Sequence, residues 1–199
     1  MEDSLVKFSD EYESNPVGFS DPLWNVMVVD DEKSIHDITT TVLRGFEYDR
    51  KGINLINAYS GRQMIAFRKE HPETALIILD IVIETQGSGL HFVQHVRNEL
   101  KNDVIQIVIR TGQPDLAPKD DVISKYHINS YYSKTGLKAH KIISLATASL
   151  RAYNLSKMYK QELKKRKKSE AELKQLNKDF EEKIKVRTKE PVRANKLKN

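Results

Sequence analysis

The stretch Ala75-Leu-Ile-Ile-Leu-Asp80 is an unbroken apolar run closed by a carboxylate. A continuous run, without alternation, marks a strand buried on both faces, as in a parallel sheet covered by helices. Three more stretches likewise end on polar residues after a strand-like run: Val26-Met-Val-Val-Asp-Asp31, Ile105-Gln-Ile-Val-Ile-Arg-Thr111 and Ile128-Asn-Ser-Tyr-Tyr-Ser-Lys134. Helix-length segments separate them. In an open α/β sheet, ligands bind in the crevice beyond the carboxyl ends of the strands. If these runs are neighbouring strands, Asp30, Asp31, Asp80, Thr111 and Lys134 converge on one spot. Three carboxylates, a hydroxyl and an ammonium gathered there describe a magnesium-assisted phosphate site.

Outward from this frame, strand and helix alternate five times between Trp24 and about Tyr153. A strand at 25–30 leads to a helix at 34–44, with Ile35, Ile38, Val42 and Leu43 on one face and a stop near Gly45. A strand at 53–58 precedes a helix that Ser60 caps and His71-Pro72 ends. After 75–80 comes Gly87-Ser88-Gly89, then a helix carrying Leu90, Val93, Val96, Arg97 and Leu100. The glycines lack the dinucleotide-binding spacing and read as a loop and helix start. The strand at 104–110 is followed by a short helix at 118–126 and a strand at 129–132.

The last helix starts near Leu137 and meets no Gly or Pro until Pro191, which allows roughly 50 residues, about 75 Å. Ile142, Ile143, Leu145, Ala146 and Leu150 suit packing on the sheet, whereas Lys160–Lys168 is dominated by charge. Leu173, Leu176, Phe180 and Ile184 recur at spacings of 3 and 4, a coiled-coil stripe that Arg166 and Glu170 interrupt upstream. The domain plan is a flexible segment at 1–22, a globular unit at 23–153, a helical coiled-coil extension at 154–190 and a disordered tail at 191–199.

Composition narrows the chemistry. The 199 residues contain no cysteine, which excludes disulfides, thiolate catalysis and Cys-based zinc sites. No apolar stretch reaches the roughly 18 residues of a membrane span, and Met1–Pro22 is acidic and polar, unlike a signal peptide. A cytoplasmic protein is the expectation. The net charge of +5 is uneven, because residues 156–199 hold 16 Lys/Arg against 7 Asp/Glu. Lys164-Lys-Arg-Lys-Lys168 ahead of Leu173 superficially resembles a basic region and zipper. No Asn, Gln or Ser is interleaved to read bases, so a solvated helix face is expected and nucleic acid is not. His91 and His95 are four apart on a helix without a third ligand at metal-site spacing, and His36 stands alone; all three read as surface or satisfied histidines.

The acidic pair Asp30-Asp31 after the first strand, Asp80 after the third, Thr111 after the fourth and Lys134 after the fifth, with Tyr131 three positions earlier, form a series. In this series residues 24–153 resemble the receiver domain of two-component response regulators. Asp80-Ile-Val-Ile-Glu-Thr-Gln-Gly-Ser-Gly-Leu90 and Arg110-Thr-Gly-Gln-Pro114 are similar to a subgroup with a lengthened loop after the phosphorylated Asp. Its members often continue into sensory or cyclic-di-GMP-handling modules. The resemblance implies an α/β fold: a flavodoxin-like (βα)5, doubly wound parallel sheet of order 2-1-3-4-5, its last helix extended into a long coiled coil.

It further implies that Asp80 accepts a phosphoryl group, with Mg²⁺ held directly by Asp31, Asp80 and the Val82 carbonyl and through water by Asp30. Lys134 and Thr111 would contact phosphoryl oxygens, and Thr111 with Tyr131 would form the switch. The implied partners are a sensor histidine kinase and a second copy, paired through the C-terminal helix or the face of fourth helix, fifth strand and fifth helix. Two departures stand out: Thr135 follows the lysine where the family usually has Pro, and the loop after Asp80 is about one residue longer, with Glu84 and no Pro. The chemistry is coherent by itself, since a carboxylate attacking phosphorus brings two anions together and a hard divalent cation offsets their repulsion. The expectation is a phosphoacceptor regulator whose only reactions are Mg²⁺-dependent self-phosphorylation and dephosphorylation. The alternatives are a regulatory fragment of a larger histidine kinase, diguanylate cyclase or cyclic-di-GMP phosphodiesterase, and a DNA-binding regulator using the basic helix. Phe180–Glu190 looks like the coils that precede such kinase and cyclase modules.

Overall fold

Strands β1 (Trp24–Val29), β2 (Ile53–Ala58), β3 (Thr74–Leu79), β4 (Gln106–Thr111) and β5 (Ser130–Ser133) form one parallel sheet in the order β2-β1-β3-β4-β5. The computed structural model describes residues 23–83, 87–112, 119–134 and 138–196. The expectations for residues 1–22, Glu84, Gln113-Pro114, Thr135 and 197–199 lie outside the described residues.

Both faces of the sheet are covered, which is why the strands read as continuous apolar runs. Met27, Val29, Ile77, Leu79, Ile107 and Ile109 pack with Phe92, Val93 and Val96. Their neighbours Val26, Val28, Leu76, Ile78 and Val108 pack on the other face with Ile35, Leu43, Ile142, Leu145, Ala146 and Leu150. Every residue of β3 is buried.

Helix α1 (Lys33–Leu43) ends just before Gly45, whose φ of 71° glycine adopts without strain. Its buried residues are Ile35, His36, Thr39 and Leu43, whereas Ile38 is 47% exposed. The buried face is therefore rotated by one residue from the expected one, and polar Thr39 lies inward by donating its hydroxyl to the Ile35 carbonyl (2.7 Å). Helix α2 (Gly61–Glu70) is capped as expected, with Ser60 Oγ accepting from the Gln63 N–H at 3.2 Å. Helix α3 (Ser88–Gln94) passes into a π-helical stretch, His95–Glu99, where a single regular helix was expected. In that stretch Arg97 donates to the carbonyls of Asn102 (2.8 Å) and His127 (3.1 Å), so its guanidinium serves the lead-ins to β4 and β5.

Helix α4 (Lys119–Tyr126) precedes β5, and α5 (Ala139–Lys196) follows it. The 58 residues of α5 span about 87 Å. The helix continues through Pro191, past the point where the sequence suggests a tail. Ile142, Leu145, Ala146, Leu150 and Tyr153 are buried, Ile143 is not, and no described residue of α5 beyond Tyr153 is buried. Two ion pairs tie the departing helix to the edge of the sheet where the strands begin: Lys157 with Glu73, just before β3, and Lys160 with Asp103, just before β4. No helix among the described residues is long and apolar enough to cross a membrane.

Candidate functional site

Because the strands are parallel, their C-terminal ends share one edge, and the polar residues that close the apolar runs meet there. Asp31, Glu32, Asp80, Val82, Thr111, Gly112 and Lys134 line a cavity of about 220 Å³. Asp30 lies beneath them, 2% exposed, and Asp80 is 5% exposed. Lys134 Nζ is 2.8 Å from Asp80 Oδ2, 3.1 Å from Asp30 Oδ1 and 2.7 Å from Glu32 Oε1.

Burial alone would lower the Lys134 pKa, but hydrogen bonds to Asp80, Glu32 and Asp30 outweigh it and hold the ammonium above its ordinary value. Burial raises the Asp30 carboxyl, and the Glu32 N–H and Lys134 offset this only in part. Glu32 is held below the ordinary carboxylate value, first by its hydrogen bond to Lys134.

The backbone sets the two buried acids. Asp30 donates its N–H to the Ala58 carbonyl (3.1 Å), and its Oδ1 accepts from the Glu32 N–H (3.0 Å). Asp80 donates its N–H to the Val29 carbonyl at 2.9 Å. His36, 1% exposed, sits under this turn with Nε2 2.7 Å from the Asp30 carbonyl oxygen and Nδ1 2.9 Å from Asn57 Oδ1. It is a satisfied core histidine, as the sequence suggests, and it supports the Asp30 backbone. His95 pairs with Glu99 on an exposed surface.

Three residues of the site were missed as contributors. Glu32 directly follows the acid pair, and that adjacency was its only signal. Gly89 packs so closely that a Cβ there would stand 2.1 Å from the Asp80 carbonyl oxygen. Arg110, noted only within its motif, is 4% exposed, and its Nε and Nη1 have no hydrogen-bond partner among the described residues. Burial lowers its pKa while the charges of Asp30, Glu32 and Asp80 work the other way. Thr111 is fully buried at the cavity wall, and Tyr131 is 6% exposed, with its ring already packed into the core beside Ile109.

The donors suit the Mg²⁺ that the resemblance implies. One oxygen each from Asp30, Asp31 and Glu32 lie within 4.8 Å of one another, and Asp80 shares the cavity with Asp31. An all-carboxylate set beside a carbonyl is the chemistry of a hard divalent cation.

No protein-family model matches this chain. Over 130 residues it is 39% identical to a 3'3'-cGAMP-specific phosphodiesterase 2 of Vibrio cholerae serotype O1, covering 65% of this chain and 25% of that protein. The chain therefore spans about a quarter of the curated relative it matches. Among solved structures, an adenylate cyclase from Rhodopirellula baltica matches with a TM-score of 0.60 and 19% identity, over 72% of this chain and 99% of that one. The signal receiver domain of an HD domain-containing protein from Pseudomonas fluorescens Pf-5 matches with a TM-score of 0.58 and 15% identity, over 72% and 98%. A CheY-like response regulator receiver domain protein from Methanospirillum hungatei JF-1 gives 0.54 and 15%, over 68% and 99%. The fold is that of CheY-like receiver domains. At these identities the structural likeness speaks for the fold alone.

Proposed function

We propose that this chain is the phosphoacceptor unit of a two-component response regulator, phosphorylated on Asp80 by a sensor histidine kinase in the cytoplasm. The observation that carries the reading is the convergence of Asp31, Asp80, Thr111 and Lys134 on one small cavity at the C-terminal edge of the sheet, with buried Asp30 paired to the same lysine. A carboxylate oxygen of Asp80 attacks the phosphorus of a phosphohistidine. The O–P bond forms, the P–N bond breaks, and the imidazole leaves with the electron pair and takes up a proton. Asp31, Asp80 and the Val82 carbonyl, with Asp30 beside them, would hold Mg²⁺, and the ion would supply the positive charge that lets two anions meet. Lys134 neutralises a phosphoryl oxygen as a point charge, and the Thr111 hydroxyl donates to another.

Thr111 and Tyr131 lie on adjacent strands, so a pull on the Thr111 hydroxyl reaches the face made by α4, β5 and α5. A population shift of that face, worth a few kcal/mol at most, would pass along α5 to a second copy or a partner protein. Incubation with acetyl phosphate and Mg²⁺, followed by intact-mass measurement, tests the chemistry. One phosphoryl adduct is expected on the wild type and none on Asp80→Asn. Equal adducts on both, or none on either, would refute it.

The identity to the Vibrio cholerae phosphodiesterase supports a second reading, in which these residues are the regulatory part of a cyclic-dinucleotide phosphodiesterase. The length of the encoding reading frame, and 3'3'-cGAMP hydrolysis by its full product, separate the two.

A further inference from the structure

A lysine ammonium has three N–H donors. Lys134 directs them at Asp80, Asp30 and Glu32, at 2.8, 3.1 and 2.7 Å. With three acids around it, no donor is left over for a phosphoryl oxygen, so an anion arriving on Asp80 needs one of them to let go. Asp80 is the group that receives the anion. Asp30 is 2% exposed and bound to the Glu32 N–H, and a buried carboxylate stripped of its cation is strongly disfavoured. The Glu32 side chain is 56% exposed, and water can take over its partner with little loss.

A second observation concerns the same side chain. Glu32 precedes the first turn of α1, the position at which a side chain usually accepts from the exposed N–H groups of the helix. It makes no such bond; its carboxylate reaches Lys134, 102 residues farther along the chain. The Glu32 side chain thus gives α1 no cap and is engaged by the lysine instead.

Resting on the phosphoacceptor reading, we propose that Glu32 is a positioning residue that holds Lys134 in a three-acid clamp and competes with the phosphoryl group for it. Binding of the phosphoryl group sends the Glu32 carboxylate into water, and the freed N–H turns to a phosphoryl oxygen. No proton is gained or lost in this exchange. Glu32 thereby sets how readily the site goes from its clamped to its phosphorylated state.

The test uses the full chain and beryllofluoride as the phosphoryl probe at saturating Mg²⁺, with dissociation constants from titration calorimetry. Glu32→Ala is expected to bind beryllofluoride about two- to five-fold more tightly than the wild type, the range of an exposed ion pair, and Glu32→Gln less so. Asp37→Asn removes the same charge from an exposed place on α1 and is expected to leave the constant unchanged. A merely structural role would weaken binding on truncation, whereas loss of a competitor strengthens it. Wild type that binds the probe, with Glu32→Ala binding equally or more weakly, overturns the clamp alone. Folded wild type that binds no beryllofluoride overturns the phosphoacceptor reading beneath it.

Discussion

Gly89 shows how closely the site is built at the scale of single residues. Its amide donates to the Ile81 carbonyl at 3.1 Å, and its Cα faces the Asp80 backbone with no room for a methyl group. Both neighbours are main chain, so no flexible side chain can yield. Gly89→Ala is expected to destabilise the fold by about 2 kcal/mol, in the range of overpacking, and to reduce the phosphoryl adduct although every charged group remains. Urea unfolding and intact-mass measurement check the two halves of that expectation. Conversely, Asp30, Asp80 and Lys134 were each legible as sequence positions, because each directly follows a strand-like run. Their mutual geometry was not, since Lys134 and Asp30 stand 104 residues apart and only the sheet order brings them to 3.1 Å.

At the scale of elements, α5 is the part that links the site to the rest of the chain. Its buried portion runs from the site edge of the sheet to the opposite edge, where Tyr153 meets Trp24 edge-on at 6.1 Å. There the Tyr153 hydroxyl donates to Glu73 Oε2 (3.3 Å), which also pairs with Lys157. The Lys157 hydrogen bond holds the Glu73 carboxyl below its ordinary value. A folded pKa below the unfolded one means that ionisation favours the folded chain. The benefit is complete above the ordinary value of 4.5 and fades as pH falls through the lowered one. Glu73 is 65% exposed in its side chain, so solvent screening keeps the effect small, about 0.5 kcal/mol. Urea unfolding of wild type and Glu73→Ala is therefore expected to show a gap of that size at neutral pH, closing as the solution is acidified below the ordinary value of 4.5.

At the scale of the molecule, α5 carries a stripe in search of cover. Leu155, Tyr159, Leu173, Leu176, Phe180 and Ile184 are all at least half exposed. A lone helix of this composition is marginal in water, and most helical stability comes from packing an apolar face. A second copy of the chain supplies that cover on the dimer reading. Phe180→Asp is expected to shift sedimentation equilibrium from dimer to monomer and to lower the helical circular dichroism of the extension. The unfolding transition of residues 23–153 should survive, because their two cores contain nothing beyond Tyr153. A dimer that persists at the same affinity would count against pairing through this stripe.

Local chemistry alone determined the class of fold and the identity of the central polar residues. Apolar runs bounded by turn residues announce buried parallel strands, and whatever follows such a run lies at the ligand-binding edge. Tertiary structure decided the rest. Ile38 faces water and Thr39 the core because the helix is rotated by its contacts with the sheet, a rotation that periodicity resolves only to within a residue. Glu32 belongs to the site because β5 delivers Lys134 beside it, and Gly89 because α3 leans on the Asp80 backbone. The first contact crosses 102 residues of chain and is made only when the sheet has closed the distance; the second crosses nine and depends on how the loop after β3 folds back.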